Sequence, residues 1–268
     1  MALDAAQKRG LAVDSGARER ELRATLGSLG PERDRYREGI GFADIAEAAY
    51  LLVGLAASGA PPDGTTDAIV RYLLSNQSPD GSWPPTMQRV PSDGCALALT
   101  AMSLRALSLY ARNDESAAGA AASVGRARAF LSRAAAVTNE ELTFQVLGLR
   151  WAGAAPAELA PLLGRLLARQ QGDGGFAQRD GLASDAYATS QAIVALRDPS
   201  APPAAKAALQ RALQFLLADQ RLDGSWFVAT RALRFQPFLE SGFPQHRSQY
   251  SSALATSWAV MALSPEIP

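Results

Sequence analysis

The chain has 268 residues, 48% hydrophobic and 19% charged, an ordinary globular composition with enough apolar material for a substantial core. Basic and acidic residues number 26 each, so there is neither a basic field for nucleic acid nor an acidic tail. A single cysteine, Cys95, excludes an internal disulfide framework.

The start, MALDAAQKRGLAVDSGAR, has no basic region followed by an apolar core, so no signal peptide is visible and a soluble, cytoplasmic protein is expected. The longest apolar run, within Ala46–Ala60, is broken by Gly54 and Ser58 and is too short to span a bilayer. Residues 1–40 are expected to form an N-terminal helical segment packing on a single larger domain, 41–268. Helical patterns at 17–28 and 42–58 are joined by the charged, Gly- and Pro-containing GPERDRYREGIGF, which is expected to be a connector.

Three later segments repeat: YLLSNQSPDGSW (72–83), LLARQQGDGGF (166–176) and FLLADQRLDGSW (215–226). Each has an apolar helical end, a Gln (Gln77, Gln170, Gln220) and an aromatic residue six positions on (Trp83, Phe176, Trp226). The Asp-Gly inside each is a turn signal, because Asp tolerates tight turns and Gly accepts positive φ. Each segment therefore ends one helix and reverses the chain, and the aromatic residue packs the turn onto its neighbours. The stretches after these turns repeat as well: SDAYATSQAIVAL (184–196) and SSALATSWAVMAL (251–263) share one register of small residues, and SDGCALALTAMSLRAL (92–107) is of the same class. Small residues on several faces suit inner helices packed on both sides. Arg- and Gln-richer stretches, 203–219 and 121–134, suit outer ones. Residues 121–134 and 139–152 meet without the Gln-aromatic turn, with Thr138 and Glu141 at capping-box spacing. No alternating strand pattern is present. The expected fold is all-α: five helical hairpins, with inner helices near 42–58, 93–110, 139–152, 185–196 and 250–263 inside an outer ring. The repeats end five residues before Pro268, from which a complete domain is expected.

Gln-x-x-Asp-Gly-Ser-Trp after an apolar helix, with one Phe variant, resembles the QW repeat of the squalene-hopene cyclase and prenyltransferase β-subunit superfamily, over roughly residues 40–265. The run is also similar to bacterial proteins with squalene-cyclase-like repeats. The resemblance implies an α/α toroid of five to six hairpins whose ligands enter a central cavity at the inner helices' N-termini. The aligned helix N-termini there favour an anion.

The resemblance implies two chemistries. Type II terpene cyclases carry Asp-x-Asp-Asp at the start of an inner helix; the matching stretch, Asp185-Ala186-Tyr187-Ala188-Thr189, keeps the first Asp and the Thr but has Tyr187 and Ala188 where two acids would stand. Asp185 is at once a candidate acid and a candidate N-cap. Protein prenyltransferases hold zinc with Asp-x-Cys and a distant His; Asp93-Gly94-Cys95 matches the first half and His246 could complete the set. The other reading of that pair is a capping Asp followed by a small buried thiol. A lanthionine-cyclase site would need a second Cys.

One junction is longer than the others. Trp83 to Asp93 is ten residues and Phe176 to Asp185 nine, whereas Trp226 to Ser252 is twenty-six. The excess falls at the mouth of the toroid, where long loops act as lids. It carries Arg231, Arg234, Phe235, Phe238, Glu240, Phe243, His246, Arg247, Gln249 and Tyr250. Its aromatics are expected to cover an apolar ligand, or else simply to cap the core, while His246 and Glu240 are candidate proton donors and acceptors. Trp151 and Trp258, on inner helices, could stabilise a carbocation or serve the core. Taken together, His246, Asp185, Tyr187, Asp93 and Glu240 are the catalytic candidates, and Cys95, Trp151, Trp258, Phe235, Phe238, Phe243, Tyr250, Arg231, Arg247 and Gln249 the substrate-binding ones. The expected function is cyclisation or isomerisation of an apolar, isoprenoid or polyene-like molecule without a cofactor. The alternatives are a non-catalytic module binding a lipid, peptide or partner protein, and a zinc-dependent prenyl transfer.

Overall fold

The computed structural model describes residues 1–38, 44–86, 90–91, 95–111, 114–233 and 239–266. Among them are eleven α-helices and no strand, so the protein is all-α. The inner helices are α3 (Ile45–Ala57), α5 (Ala96–Tyr110), α7 (Asn139–Trp151), α9 (Ala186–Leu196) and α11 (Gln249–Leu263). The outer helices are α2 (Ser15–Glu38), α4 (Gly64–Ser75), α6 (Asp114–Arg133), α8 (Pro156–Leu167) and α10 (Ala205–Asp219), preceded by the short α1 (Ala2–Gln7). Successive inner helices pack side by side; α4, α6, α8 and α10 each pack on the inner helices before and after them, whereas α2 packs on α4. Among the described residues no helix is long and apolar enough to cross a membrane.

The small residues set how closely the inner helices approach. A Cβ added at Gly148 of α7 would lie 2.6 Å from Leu131 and 2.8 Å from Ala101 of α5, so the glycine is fixed by packing. α9 and α11, which carry the shared Ala register, meet with Ala188, Ala192, Ala195, Ala255, Ala259 and Ala262 all buried.

The three Gln-aromatic turns are alike in their bonding. Asp80, Asp173 and Asp223 each accept a backbone N–H two residues on, and Gly81, Gly174 and Gly224 take φ of 91°, 86° and 81°, where a side chain is disfavoured. The backbone N–H of Trp83, Phe176 and Trp226 donates to Thr100, Thr189 and Thr256 of the next inner helix at 3.0, 2.9 and 3.0 Å. The indole N–H of Trp83 and Trp226 donates to the Leu73 and Leu216 carbonyls, 2.8 and 2.7 Å, satisfying an outer-helix C-terminus. Where the motif is missing, between α6 and α7, the Gln145 amide takes over and donates to the Leu131 and Ala134 carbonyls.

Two features depart from the sequence reading. GPERDRYRE is not a connector: α2 runs through Pro31 to Glu38. Ion pairs between Arg35 and Glu32 and between Arg37 and Asp34, and burial of Tyr36 edge-on to Tyr72 of α4 at 5.5 Å, hold the second half of α2 in place. Second, among the described residues α11 does not pack on α3 as the other inner neighbours do. At that seam α1 lies on α11, beside a cavity of about 410 Å3 between α1, α2, α3 and α11.

Candidate functional site

The N-termini of α5, α7 and α9 converge, and each is capped by its own side chain. Cys95 Sγ accepts the Ala98 N–H at 3.4 Å, Thr138 forms a capping box with Glu141, and Asp185 Oδ1 accepts the Ala188 N–H at 2.9 Å. The α7 and α9 starts are tied together: Asn139 donates its backbone N–H to the Gln178 carbonyl and its side-chain amide to the Ala188 carbonyl. Between them lies a polar cavity of about 70 Å3, lined by Cys95, Glu140, Gln178, Tyr187, Gln191 and Arg231, with Val90 and Pro91 alongside.

Two hydrogen-bonded systems border it. In the first, the Tyr187 hydroxyl donates to Glu140 Oε1 at 2.7 Å, both residues being buried. Burial, and then the Glu140 charge, push the Tyr187 phenol well above its ordinary range, so it stays protonated as a donor. In the second, Gln178 donates to Asp185 Oδ2 at 2.8 Å while its carbonyl oxygen accepts Arg231 Nε and Nη2 at 3.0 and 2.6 Å. Gln191 has 0% exposure, and neither of its amide atoms has a partner in good hydrogen-bond geometry, although the amide stands near enough to the Tyr187 hydroxyl to pull slightly against the rise in that phenol's pKa.

Burial raises the Asp185 pKa against the Ala188 N–H, Gln178 and Arg231, which pull it down. The folded protein thus holds this proton more tightly than the unfolded chain, and the associated stability is present at low pH and lost as pH rises through the folded value. Asp185→Asn keeps a capping oxygen and removes the titration. Its stability relative to wild type is expected to improve between pH 4 and pH 7, read from urea midpoints; a pH-independent difference would contradict this assignment.

The structure brings together Cys95, Tyr187 and Arg231 at the cavity, with Asp185 one hydrogen bond behind. Asp185 does not itself line the cavity, both its oxygens being engaged as described. Burial and the nearby Glu140 charge keep Cys95 a thiol, its pKa raised. Asp93, Phe235 and Phe238 lie outside the described residues. Apart from Arg231, the described residues of the long loop do not line the cavity. His246 is exposed on a short 3-10 turn (His246–Ser248) with φ of 46°, and Arg247 and Glu240 are exposed too, Glu240 accepting the Gly242 N–H. Gln249 is buried and used internally: it accepts the Ser241 N–H at 2.6 Å and donates to the Leu239 carbonyl at 2.7 Å, fastening the loop to the start of α11. Tyr250 is exposed with its hydroxyl 3.3 Å from that same carbonyl, and Phe243 is half-buried. Trp151 ends α7, at the opposite end from Glu140, with the Arg105 guanidinium 5.6 Å over its ring. Trp258 packs edge-on to the buried Phe144 of α7 at 5.9 Å, inside the ring core. Among the described residues no three of His, Cys, Asp and Glu gather as a metal site would require.

Glu140, Gln178 and Gln191 are the site residues that sequence reasoning missed. The one available signal for Glu140 was its place in the first turn of an inner helix, beside the capping Glu141.

No family model matches the chain. It is similar to two proteins named drimenyl diphosphate synthase. That of Streptantibioticus cattleyicolor is 30% identical over 207 residues, covering 71% of this chain and 37% of the relative. That of Streptomyces showdoensis is 29% identical over 208 residues, with the same coverage. The chain spans little more than a third of the length of these curated relatives.

Proposed function

We propose that this chain belongs to the terpene-cyclase-like class and processes an isoprenoid at the mouth of its inner ring, with Glu140 as the acid/base group. The observation that carries the reading is the buried Glu140–Tyr187 pair, 2.7 Å apart on the wall of a polar cavity at the inner-helix N-termini. The relatives named for a diphosphate product support the substrate class. Tyr187 and Ala188 occupy the places of two acids in the cyclase motif, and in this reading the carboxyl comes from the neighbouring inner helix instead. Tyr187 fixes one Glu140 oxygen and so aims the carboxyl. Once the Glu140 carboxylate has taken up a proton it delivers that proton to a substrate alkene, a neighbouring double bond attacks the resulting cation, and return of a proton from the product cation to Glu140 closes the cycle to give an isomer of the substrate. Arg231 and the converging helix N-termini supply the positive potential for an anionic headgroup such as a diphosphate.

The cavity holds only about a water or two, whereas small-molecule sites are typically several hundred Å3. Substrate entry therefore requires Arg231 and the adjoining residues to move aside. The competing reading, a binding module without catalysis, is favoured by the engagement of both Asp185 oxygens.

The two readings separate in one experiment. The protein is incubated with a C15 prenyl diphosphate, a C20 prenyl diphosphate and squalene; products are detected by gas chromatography–mass spectrometry, and substrate retention by equilibrium dialysis. Glu140→Gln is expected to lower turnover at least ~100-fold, in the range of lost acid/base catalysis, with retention changed less than about threefold, the hydrogen-bonded shape being kept. Retention without turnover in the wild type would leave only the binding module. Neither retention nor turnover would defeat the isoprenoid reading itself.

A further inference from the structure

Residues 226–230 are laid along α11 by a ladder of hydroxyls. The backbone N–H groups of Trp226, Val228 and Thr230 donate to Thr256, Ser252 and Ser248 at 3.0, 3.2 and 3.2 Å. The acceptors stand four residues apart along the start of α11 and so line one face of it, and every second residue of the segment meets one of them. Arg231 is the first residue beyond this ladder. Among the described residues its side chain carries the polar link from the segment to the α7 and α9 wall of the cavity, Nε and Nη2 both donating to Gln178 Oε1.

Gln178 is a fixed acceptor. It is buried, its backbone carbonyl accepts the Asn139 N–H at 3.0 Å and its amide donates to Asp185 Oδ2 at 2.8 Å, so it is tied to the starts of both helices. It is also a neutral acceptor. Among the described residues no carboxylate stands within ion-pair distance of the half-buried Arg231 guanidinium. Gln178 engages only the Nε–Nη2 edge of the fork; the Nη1–Nη2 edge is the one left to take two oxygens of a phosphate group. An oxyanion supplies the charge that the amide lacks and forms shorter, stronger bonds with a guanidinium.

We propose that Arg231 is a latch on the cavity, operated by an anionic headgroup: a diphosphate arriving at the mouth draws the guanidinium off Gln178, and the segment beyond Thr230 then uncovers Glu140 and Tyr187. Thr230 is the pivot, because the hydroxyl ladder ends there and the helices beneath need not move. A neutral hydrocarbon offers the guanidinium nothing in exchange for Gln178, so the latch also selects prenyl diphosphates over substrates such as squalene. The inference rests on the isoprenoid reading for the identity of its ligand.

Cys95 lines the same cavity, is buried and is the chain's one thiol, which makes it the reporter. The intact protein is treated with iodoacetamide in inorganic pyrophosphate, or in sodium chloride of equal ionic strength, and labelling is followed by intact mass. Pyrophosphate at about 1 mM is expected to speed wild-type labelling about tenfold, the scale of one hydrogen bond to a charged group. Arg231→Ala is expected to label at about that higher rate without pyrophosphate and not to respond to it. Arg231→Lys, which keeps the charge and loses the fork, should respond only weakly. Access to Cys95 by global unfolding has the opposite sign, because an anion bound to the folded protein slows it. Labelling that pyrophosphate slows or leaves unchanged, or an acceleration that persists in Arg231→Ala, overturns the proposal. Acceleration in a protein that turns over no prenyl diphosphate keeps the latch and defeats the isoprenoid reading, whereas turnover without acceleration defeats the latch alone.

Discussion

Trp83→Ala is expected to destabilise the protein by about 3–5 kcal/mol, the range for deleting a fully buried aromatic side chain. Trp83 has 0% exposure, bridges α4 and α5, and its indole N–H donates to the Leu73 carbonyl in the last turn of α4. Trp83→Phe separates these two roles, because it keeps most of the volume and removes the donor. It should cost only about 1–2 kcal/mol, the scale of one lost buried hydrogen bond, since the Leu73 carbonyl keeps only the longer bond from the Asn76 N–H at 3.3 Å. Phe176 supports this ordering: the second turn keeps the aromatic bulk, lacks the indole donor, and stays equally buried. Denaturant midpoints with an unchanged m-value provide the test. A Phe variant as damaged as the Ala variant would show the hydrogen bond to outweigh the packing.

Gly81→Ala and Gly224→Ala form the second pair, chemically identical but unequal in effect. Both glycines sit at positive φ, so each Ala carries a left-handed backbone penalty of roughly 1–2 kcal/mol. At Gly224 that is the whole cost. At Gly81 the new methyl collides with the Arg126 carbonyl, a backbone atom of α6 that no rotamer can move away, adding about 1–3 kcal/mol. Gly81→Ala should therefore fall below Gly224→Ala by that margin in thermal or denaturant unfolding. Equal losses would mean that α6 yields freely, and that the turns are not clamps on the next outer helix.

The hairpin frame was readable from the amino acids because its chemistry is local. A Gln, an Asp-Gly and an aromatic residue within seven positions determine the turn, and the Ala register after it identifies an inner helix. The first connector was misread because charge and a proline usually mark loops. The i,i+3 ion pairs and the Tyr36–Tyr72 contact that keep α2 continuous involve either long side chains or a residue thirty-six positions away. The site was legible by halves. Tyr187, Cys95 and Arg231 were found because repeat register places two of them at helix starts and a long loop carries the third. Glu140 was not, because it belongs to an inner helix entered without the repeat motif, and its partner is forty-seven residues further on. His246 drew attention as the chain's sole histidine inside the longest loop. Loop length says nothing about which way a side chain turns, and here the internal bonds of Gln249 hold that part of the loop away from the cavity.

The threonine latches also bear on how such a protein can change. Trp226 is pinned to Thr256 at 3.0 Å although thirty residues separate them, and Trp83 to Thr100 at 3.0 Å across seventeen. Chain length between the pinned points is thus decoupled from the position of the inner helix. A segment of different length or composition between Val228 and Ser248 is therefore expected to leave the inner helix in register, the latch and not the loop fixing where α11 begins.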